Sequence, residues 1–201
     1  MKIKTPHGPA NVHLQPVDEP RAALVLGHGA GGGVTARDLV AAADAAHAAG
    51  FAVALVEQPY RVAGRRSPAP AHQLDVAWIA VVDHLRAHEL RGLPLVTGGR
   101  SSGARVACRT AEATGAVGVL CLAFPLQPPP RANGVQSPSR LPELEAVAVP
   151  VLVVQGLNDR FGMPPAGARR TVVQIAGDHS LRSDLQAVAA AVRDWLPSVL
   201  T

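Results

Sequence analysis

The sequence predicts an α/β fold, with a mostly parallel central sheet that carries helices on both faces, in one domain spanning residues 1–201. Short apolar runs alternate along the chain with longer segments of helical periodicity. The short runs are apolar at consecutive positions, as expected for parallel strands that are buried on both sides. A chain of 201 residues with 48% hydrophobic and 17% charged residues is also large enough for a substantial core.

The N-terminal third of the chain begins with residues 2–18, which alternate in polarity, are interrupted by prolines and predict one or two edge strands. Ala22–Gly27 is a continuous apolar run and predicts a fully buried strand. The following alanine-rich segment predicts a helix. Its start resembles a capping box formed by Thr35 and Asp38, and Gly50 marks its end.

The middle of the chain repeats this strand–helix pattern. Phe51–Val56 predicts a strand, Glu57–Ala71 is rich in Pro, Gly and Arg and predicts a loop, and His72–Glu89 predicts an amphipathic helix. A β-branched run from Leu95 predicts the next strand, and Val117–Phe124 predicts another.

The C-terminal third contains a proline-rich segment, two strands and a helix. Pro125–Pro142 holds six prolines, so we expect an irregular loop that cannot form a full helical lid. Val149–Gln155 and Arg170–Ile175 predict strands. A second capping-box pattern, Ser183 and Gln186, precedes an amphipathic final helix.

The strongest functional motif follows the strand that begins at Leu95. Gly99–Gly103 has the pattern G-x-S-x-G, and small residues that favour a helix come directly after it. A strand, a sharp turn and a helix form the context of a nucleophile elbow, which exposes its serine above the sheet. We therefore identify Ser101 as a candidate nucleophile, and the two flanking glycines as positions without room for a side chain.

Two later loops supply candidate partners for Ser101. Asp159 follows the strand ending near Gln155, and His179 follows the strand ending near Ile175. Because the carboxyl ends of parallel strands meet at one edge of the sheet, an acid and a base could converge there on the serine. Asp178 is a rival acid, but we expect a residue adjacent to the base to point elsewhere.

An acyl-transfer site also needs backbone N–H groups for the oxyanion. Ser102 directly follows the nucleophile and can supply one of them. The glycine-rich loop after the first buried strand can supply the other, from Ala30 first and Gly31 second.

These motifs resemble those of a group of small α/β-hydrolases. The resemblance spans about residues 20–196 and includes dienelactone hydrolases and, more closely, bacterial relatives of the hydrolase-like domain found in a testis-expressed protein and in a subunit of the NSL acetyltransferase complex. It implies an α/β-hydrolase fold with a minimal cap, a triad of Ser101, Asp159 and His179, and an oxyanion hole at Ala30 and Ser102. The chain departs from this group at Gln127, where many relatives have His. Dienelactone hydrolases themselves have a cysteine nucleophile. The motifs that carry the resemblance are His28–Gly32, Gly99–Arg105, Phe124–Pro129, Gly156–Gly162 and Gly177–Leu181.

Two other functions fit part of the sequence. Gly27–Gly32 also matches the dinucleotide-binding pattern G-x-G-x-x-G, with Glu57 as a candidate ribose ligand, but this hypothesis leaves the Ser101, Asp159 and His179 loops unexplained. Alternatively, the protein could be a non-catalytic binding or scaffold module that kept the hydrolase fold.

The charge distribution favours a small-molecule substrate. The net charge is +4 and the pI is about 9.8, yet the basic residues form no stripe with interleaved aromatics of the kind that binds nucleic acid. We expect a small ester, thioester or lactone that carries an anionic group. Arg61 and Arg100 are the candidate contacts to that group, and Arg61 is the preferred anchor.

The remaining features predict a cytoplasmic protein, either a monomer or a homodimer. Cys108 and Cys121 lie in apolar surroundings and are expected to be buried free thiols, without the spacing of a metal site. We expect no signal peptide, no membrane span, no metal and no cofactor.

Overall fold

Eight β-strands form a single sheet in a computed structural model of the protein, which describes residues 1–130 and 132–200. The strand order is β1-β2-β4-β3-β5-β6-β7-β8. The strands are β1 (Lys2–Thr5), β2 (Gly8–Gln15), β3 (Ala22–Gly27), β4 (Phe51–Glu57), β5 (Leu95–Arg100), β6 (Gly118–Leu122), β7 (Val151–Gly156) and β8 (Arg170–Ile175).

The six strands from β3 to β8 are parallel to one another, whereas β1 and β2 run antiparallel. The prediction of a mostly parallel sheet is therefore confirmed. The prediction of edge strands over residues 2–18 is only half right. β1 is an edge strand, but β2 is paired on both sides, with β1 and β4.

The helices cover both faces of the sheet, as predicted. α1 packs against α6 on one face, and α4 packs against α3 and α5 on the other. A one-turn 3-10 helix, Leu196–Val199, follows the last α-helix. The α-helices are α1 (Arg37–Ala48), α2 (Pro59–Val62), α3 (Ala71–Ala87), α4 (Ser102–Thr114), α5 (Leu141–Glu145) and α6 (Leu185–Trp195).

Side-chain alternation along the strands divides the core between the two faces. In β3, Ala22, Leu24 and Leu26 join the cluster beneath α1 and α6, while Ala23 and Val25 join the cluster beneath α3. All five are fully buried. This explains why β3 appears in the sequence as an unbroken apolar run, because both of its faces lie in the protein interior.

The order of the strands reverses beside β3, since the chain passes from β3 outward to β4 and then returns to the far side of β3 as β5. In open α/β sheets, ligands bind outside the carboxyl ends of the strands at such a reversal. The glycine-rich loop leaves β3 and the Ser101 turn leaves β5, so both predicted elements of the site lie at this point.

Both predicted capping boxes are wrong in detail. Helix α1 begins at Arg37 after an Ala36 cap that makes no side-chain hydrogen bond. Asp38 does not cap the helix with Thr35, because its carboxylate accepts a hydrogen bond from Arg100 instead. Helix α6 is capped by Asp184, whose side chain accepts the Ala187 N–H at 2.8 Å.

Two predicted loops contain short helices. Glu57–Ala71 includes the single turn α2, which begins with Pro59, a residue that suits the first turn of a helix. Pro125–Pro142 is irregular through the described residues as far as Leu141, where α5 begins. Arg131 in this segment, and Thr201 at the end of the predicted domain, lie outside the described residues.

The two thiols are buried and free, as predicted, with their Sγ atoms 3.5 Å apart. Cys108 lies on α4 and Cys121 on β6, so the pair joins the helix that follows β5 to the strand beside it.

No helix within residues 1–130 and 132–200 combines the length and the apolar character needed to cross a lipid bilayer.

Candidate active site

The turn between β5 and α4 holds Ser101 in a strained backbone conformation, with φ +52° and ψ −107°. Positive φ is unusual for a residue with a side chain and costs free energy, and such strain is commonly found at functional sites. The Ser101 N–H donates to the Leu122 carbonyl oxygen of β6 at 2.8 Å, which fixes the turn against the neighbouring strand.

The turn is tight because β3 approaches it closely. A Cβ atom built on Gly99 would lie 2.5 Å from the Gly27 carbonyl oxygen, and one built on Gly103 would collide with the same atom. Both positions of the G-x-S-x-G pattern therefore require glycine for close backbone packing.

Three predicted side chains form a continuous hydrogen-bonded chain above the sheet. The Ser101 Oγ lies 2.9 Å from His179 Nε2, and His179 Nδ1 lies 2.8 Å from Asp159 Oδ2. The Asp159 side chain is fully buried, whereas His179 keeps 19% of its side-chain surface exposed. A buried acid beneath a partly exposed imidazole leaves the serine side of the chain open to a ligand.

The Asp159 carboxylate accepts hydrogen bonds on both oxygens. Oδ2 accepts from His179 and from Gln155 Nε2 at 2.8 Å, and Oδ1 accepts the Phe161 N–H at 2.9 Å. Both oxygens of this buried side chain therefore have hydrogen-bond partners.

The rival acid, Asp178, points away from the imidazole. It is exposed, and its Oδ1 accepts hydrogen bonds from the Ser180 hydroxyl and the Ser180 N–H. These two bonds hold the pKa of Asp178 below its ordinary value. Asp159 is therefore the carboxylate that contacts His179, in agreement with the sequence argument.

The three amides expected to form an oxyanion hole are those of Ala30, Gly31 and Ser102. Ser102 is the first residue of α4, so its N–H has no acceptor within the helix. Among the described residues, the N–H groups of Ala30 and Gly31 also donate to no protein acceptor. The Ala30 carbonyl oxygen, in contrast, accepts a hydrogen bond from the Tyr60 hydroxyl at 3.0 Å. This bond holds the glycine-rich loop at Ala30.

His28 supports the same loop, a role that the sequence analysis did not identify. Its Nδ1 lies 2.8 Å from the Gly29 carbonyl oxygen, and its Nε2 accepts the Gln58 N–H at 3.1 Å. Burial lowers the pKa of His28 and so favours the neutral ring, the form able to donate from one nitrogen and accept at the other. The sequence shows only that His28 lies between two glycines, and this pattern does not reveal that its side chain is buried.

Arg100, which the sequence predicts as a substrate contact, is held by two partners within the protein. Its Nε donates to Asp38 at 2.7 Å and its Nη2 donates to the His179 carbonyl oxygen at 3.0 Å. Its side chain is only 17% exposed. The guanidinium therefore joins the His179 loop to the start of α1.

Arg61 lies on α2 after β4, and its guanidinium makes no hydrogen bond or ion pair within residues 1–130 and 132–200. Burial lowers the pKa of His28 and raises the pKa of Tyr60, and the nearby positive charge of Arg61 acts on both groups in the downward direction. Arg61 thus places a positive charge, with no acidic partner among the described side chains, beside the glycine-rich loop that follows β3.

A second positively charged region borders the same loop. Arg37 and Arg182 are exposed and line a cavity of about 210 Å³ together with Gly31, Arg100 and Ser180. Neither Arg37 nor Arg182 is paired with an acidic residue in the part of the chain that the structure describes.

The dinucleotide hypothesis finds no support in the surroundings of Glu57. Its carboxylate accepts from Asn11 Nδ2 at 3.0 Å and lies 3.4 Å from His13 Nε2, so two side chains of β2 already contact it.

Across the described ranges, no group of three His, Cys, Asp or Glu side chains is arranged to hold a metal ion.

Comparison with known proteins agrees with this architecture. The family model described as an alpha/beta hydrolase domain matches residues 20–189. A search of curated protein sequences gives no significant match.

Several solved structures share the fold. Est1E from Butyrivibrio proteoclasticus, determined with ferulic acid bound, has a TM-score of 0.79 at 18% identity, covering 98% of both chains. A dienelactone hydrolase from Anabaena variabilis has a TM-score of 0.77 at 15% identity, covering 98% of this chain and 95% of its own. XC6422 from Xanthomonas campestris, described as a serine hydrolase without a lid, has a TM-score of 0.73 at 21% identity over 98% of this chain and 94% of its own. The predicted α/β-hydrolase fold is therefore confirmed.

Proposed function

We propose that this chain, which belongs to the α/β-hydrolase family, is a serine hydrolase that cleaves small esters, thioesters or lactones through an acyl-enzyme. The observation that carries the proposal is the hydrogen-bonded chain from Ser101 through His179 to Asp159. It begins at a strained serine and lies beside the amides of Ala30, Gly31 and Ser102, which have no acceptor among the described residues.

In the acylation step, the Ser101 oxygen attacks the carbonyl carbon of the substrate as His179 Nε2 takes the hydroxyl proton. Asp159 accepts the Nδ1–H of the ring, holds the productive tautomer and stabilises the imidazolium that forms. The negative charge on the carbonyl oxygen is stabilised by the Ser102 amide and by an amide of Ala30 or Gly31.

Collapse of the tetrahedral intermediate breaks the bond to the leaving group, which takes the proton from His179 Nε2. An ester or thioester releases it as an alcohol or thiol, whereas in a lactone the new hydroxyl stays attached to the acyl chain. Water then attacks the acyl-enzyme, with His179 again accepting a proton, and a second collapse releases the acid and restores Ser101. Each proton in this sequence is taken up and returned by His179.

The small size of the proposed substrate follows from the loops above Ser101. The proline-rich stretch after β6 is irregular through its described residues up to α5, which is itself only five residues long. The described part of this segment therefore forms no helical lid that could cover a long acyl chain. Burial of apolar surface is the main source of affinity for such chains, so a small acyl group is favoured.

The proposal is tested by the hydrolysis of p-nitrophenyl acetate. The wild-type protein should release p-nitrophenol at a rate proportional to protein concentration, with an initial burst if deacylation is the slower step. A rate no greater than that of the same protein after heat denaturation would contradict the assignment.

We further propose that the substrate carries an anionic group and that Arg61 binds it. Arg61 has no partner among the described residues and lies beside the oxyanion loop, and a guanidinium binds carboxylates and phosphates in a bidentate manner. The Arg61→Ala substitution should cost about 1.5–3 kcal/mol of transition-state stabilisation for a carboxylated ester, the range for a hydrogen bond to a charged group. This loss corresponds to a decrease in kcat/KM of about 10- to 150-fold. The substitution should hardly change kcat/KM for the matched neutral ester.

Three control variants make this test selective. Arg91→Ala removes an exposed arginine from the turn that precedes β5, at the opposite end of the sheet, and should affect neither ester. Arg37→Ala and Arg182→Ala test the neighbouring cavity. Equal losses on both esters for Arg61→Ala would mean that it only supports its loop, and a selective loss confined to Arg37→Ala or Arg182→Ala would move the anion site to that cavity.

We propose a cytoplasmic location on the basis of the thiols. Cys108 and Cys121 are buried free thiols, and free thiols are typical of a reducing compartment.

A further inference from the structure

Gln155 at the end of β7 is a buried amide that contacts the acid of the triad. It has no exposed surface, and its Nε2 lies 2.8 Å from Asp159 Oδ2. The same nitrogen lies 3.0 Å from the Phe124 carbonyl oxygen and 3.0 Å from the Gly162 carbonyl oxygen. One –NH₂ group therefore faces three acceptors, one of which belongs to the triad.

The orientation of this amide is determined by its surroundings. If Oε1 and Nε2 were exchanged, an oxygen would face the three oxygens of Asp159, Phe124 and Gly162, which is repulsive. In the orientation observed, Oε1 is buried and has no partner within residues 1–130 and 132–200. A buried acceptor without a partner costs free energy, so the cost at Oε1 accompanies the three contacts made by Nε2.

The position of Gln155 explains how Asp159 is fixed. Phe124 follows β6, and Gly162 closes the turn that carries Asp159, so the Gln155 amide connects two loops and the acid itself. The Phe161 ring also packs edge-on against the His179 ring, with centroids 4.5 Å apart. A shift of the Asp159 turn would therefore move both the acid and a surface on which the imidazole rests.

We propose that Gln155 is a positioning residue for the hydrolase reaction, one that fixes Asp159 Oδ2 opposite His179 Nδ1. The inference rests on the proposed serine hydrolase function. Gln155 and His179 donate to the same oxygen, so the Gln155 N–H determines both where that oxygen lies and how strongly it attracts the imidazole proton. Gln155 reaches no substrate and acts only through Asp159.

The Gln155→Met substitution keeps the length and volume of the side chain but removes the donor. We expect kcat for p-nitrophenyl acetate to fall about 10- to 100-fold. This is the range found when a metal-ligating side chain loses the hydrogen-bond partner that orients it, and Gln155 orients Asp159 in the same way. KM should change little, because Gln155 lies beneath the acid and away from the substrate.

The Gln155→Glu substitution provides a readout that a purely structural role would not affect. A protonated carboxyl group at this position can donate to Asp159 as the amide does, but an ionised one would place two carboxylates in contact. The kcat/KM profile should therefore gain a falling alkaline limb that wild type lacks, as the proton shared by the two carboxyl groups is lost.

Gln15→Met is the control for loss of a buried amide away from the site. Gln15 is half-buried, its Oε1 is buried without a partner among the described residues, and it pairs with Val53 near the start of β4, far from the carboxyl ends of the strands. It should show wild-type kcat and the wild-type pH profile.

The outcomes separate this inference from the proposed function. A wild-type protein without esterase activity overturns the proposed function and the role of Gln155 together. An active wild type overturns only the role of Gln155 if Gln155→Met keeps its kcat. The role is equally overturned if folded Gln155→Glu shows the wild-type pH profile, or if Gln15→Met reproduces the loss of kcat.

Discussion

Replacing Ser101 with alanine is expected to lower kcat for p-nitrophenyl acetate by about 10⁶-fold, because loss of a triad nucleophile removes the covalent route altogether. The Ser101 Oγ is the atom that His179 Nε2 contacts at 2.9 Å, and alanine offers nothing in its place. Residual hydrolysis above the rate in water should come from the oxyanion amides and from binding alone.

The variant should remain folded, which separates chemistry from stability. Serine and alanine both have a Cβ, so the unusual φ of +52° is no more strained after the substitution. Circular dichroism and the thermal midpoint should match those of wild type. A Ser101→Ala protein with wild-type turnover would show that the hydrolysis occurs elsewhere.

The second large effect is expected at Asp159, where replacement by asparagine should lower kcat by about 10⁴-fold, as is found when a triad acid becomes an amide. Phe161 donates to Oδ1, and Gln155 and His179 donate to Oδ2, so the new –NH₂ group meets a donor in either orientation. Where it faces His179, it donates to Nδ1 and holds the ring as the Nε2–H tautomer, which cannot accept the serine proton.

Asp178→Asn is the matched control, one residue from His179. Its carboxylate contacts Ser180 and not the imidazole, so we expect less than about a tenfold change in kcat. Steady-state kinetics of the two variants on one substrate decide between the acids. A large loss at Asp178 with little loss at Asp159 would reassign the acid of the triad.

The sequence predicted the elements of this site well because each belongs to a local pattern. Apolar runs located β3, β5, β7 and β8, and the G-x-S-x-G turn located Ser101 at the end of its strand. The order of the loops then placed Asp159 and His179 at the same edge of the sheet. This inference follows from parallel topology alone and needs no knowledge of side-chain contacts.

The supporting residues could not be predicted in this way, since their roles depend on contacts between distant segments. Arg100 appeared to have no protein partner, but its Nε donates to Asp38, which lies 62 positions earlier in the sequence. Gln155 appeared to be an ordinary polar residue at the end of a strand, and only the packing of the surrounding loops reveals its three acceptors.

Helix starts were misplaced for a related reason. Thr35 and Asp38 match a capping box by spacing, but the ion pair with Arg100 takes the carboxylate and α1 begins at Arg37. In α6, Asp184 is one residue beyond the expected Ser183 and provides the cap instead. Local propensity does not distinguish neighbouring cap candidates, and tertiary contacts decide between them.

The central claim, that Ser101 is an activated nucleophile, is tested most directly by reaction with a fluorophosphonate probe followed by peptide mapping. A single covalent adduct on Ser101 is expected, formed by the folded wild-type protein and absent from Ser101→Ala. A folded wild-type protein that forms no adduct, or forms it on another residue, would contradict the claim and favour a non-catalytic binding or scaffold module with the hydrolase fold.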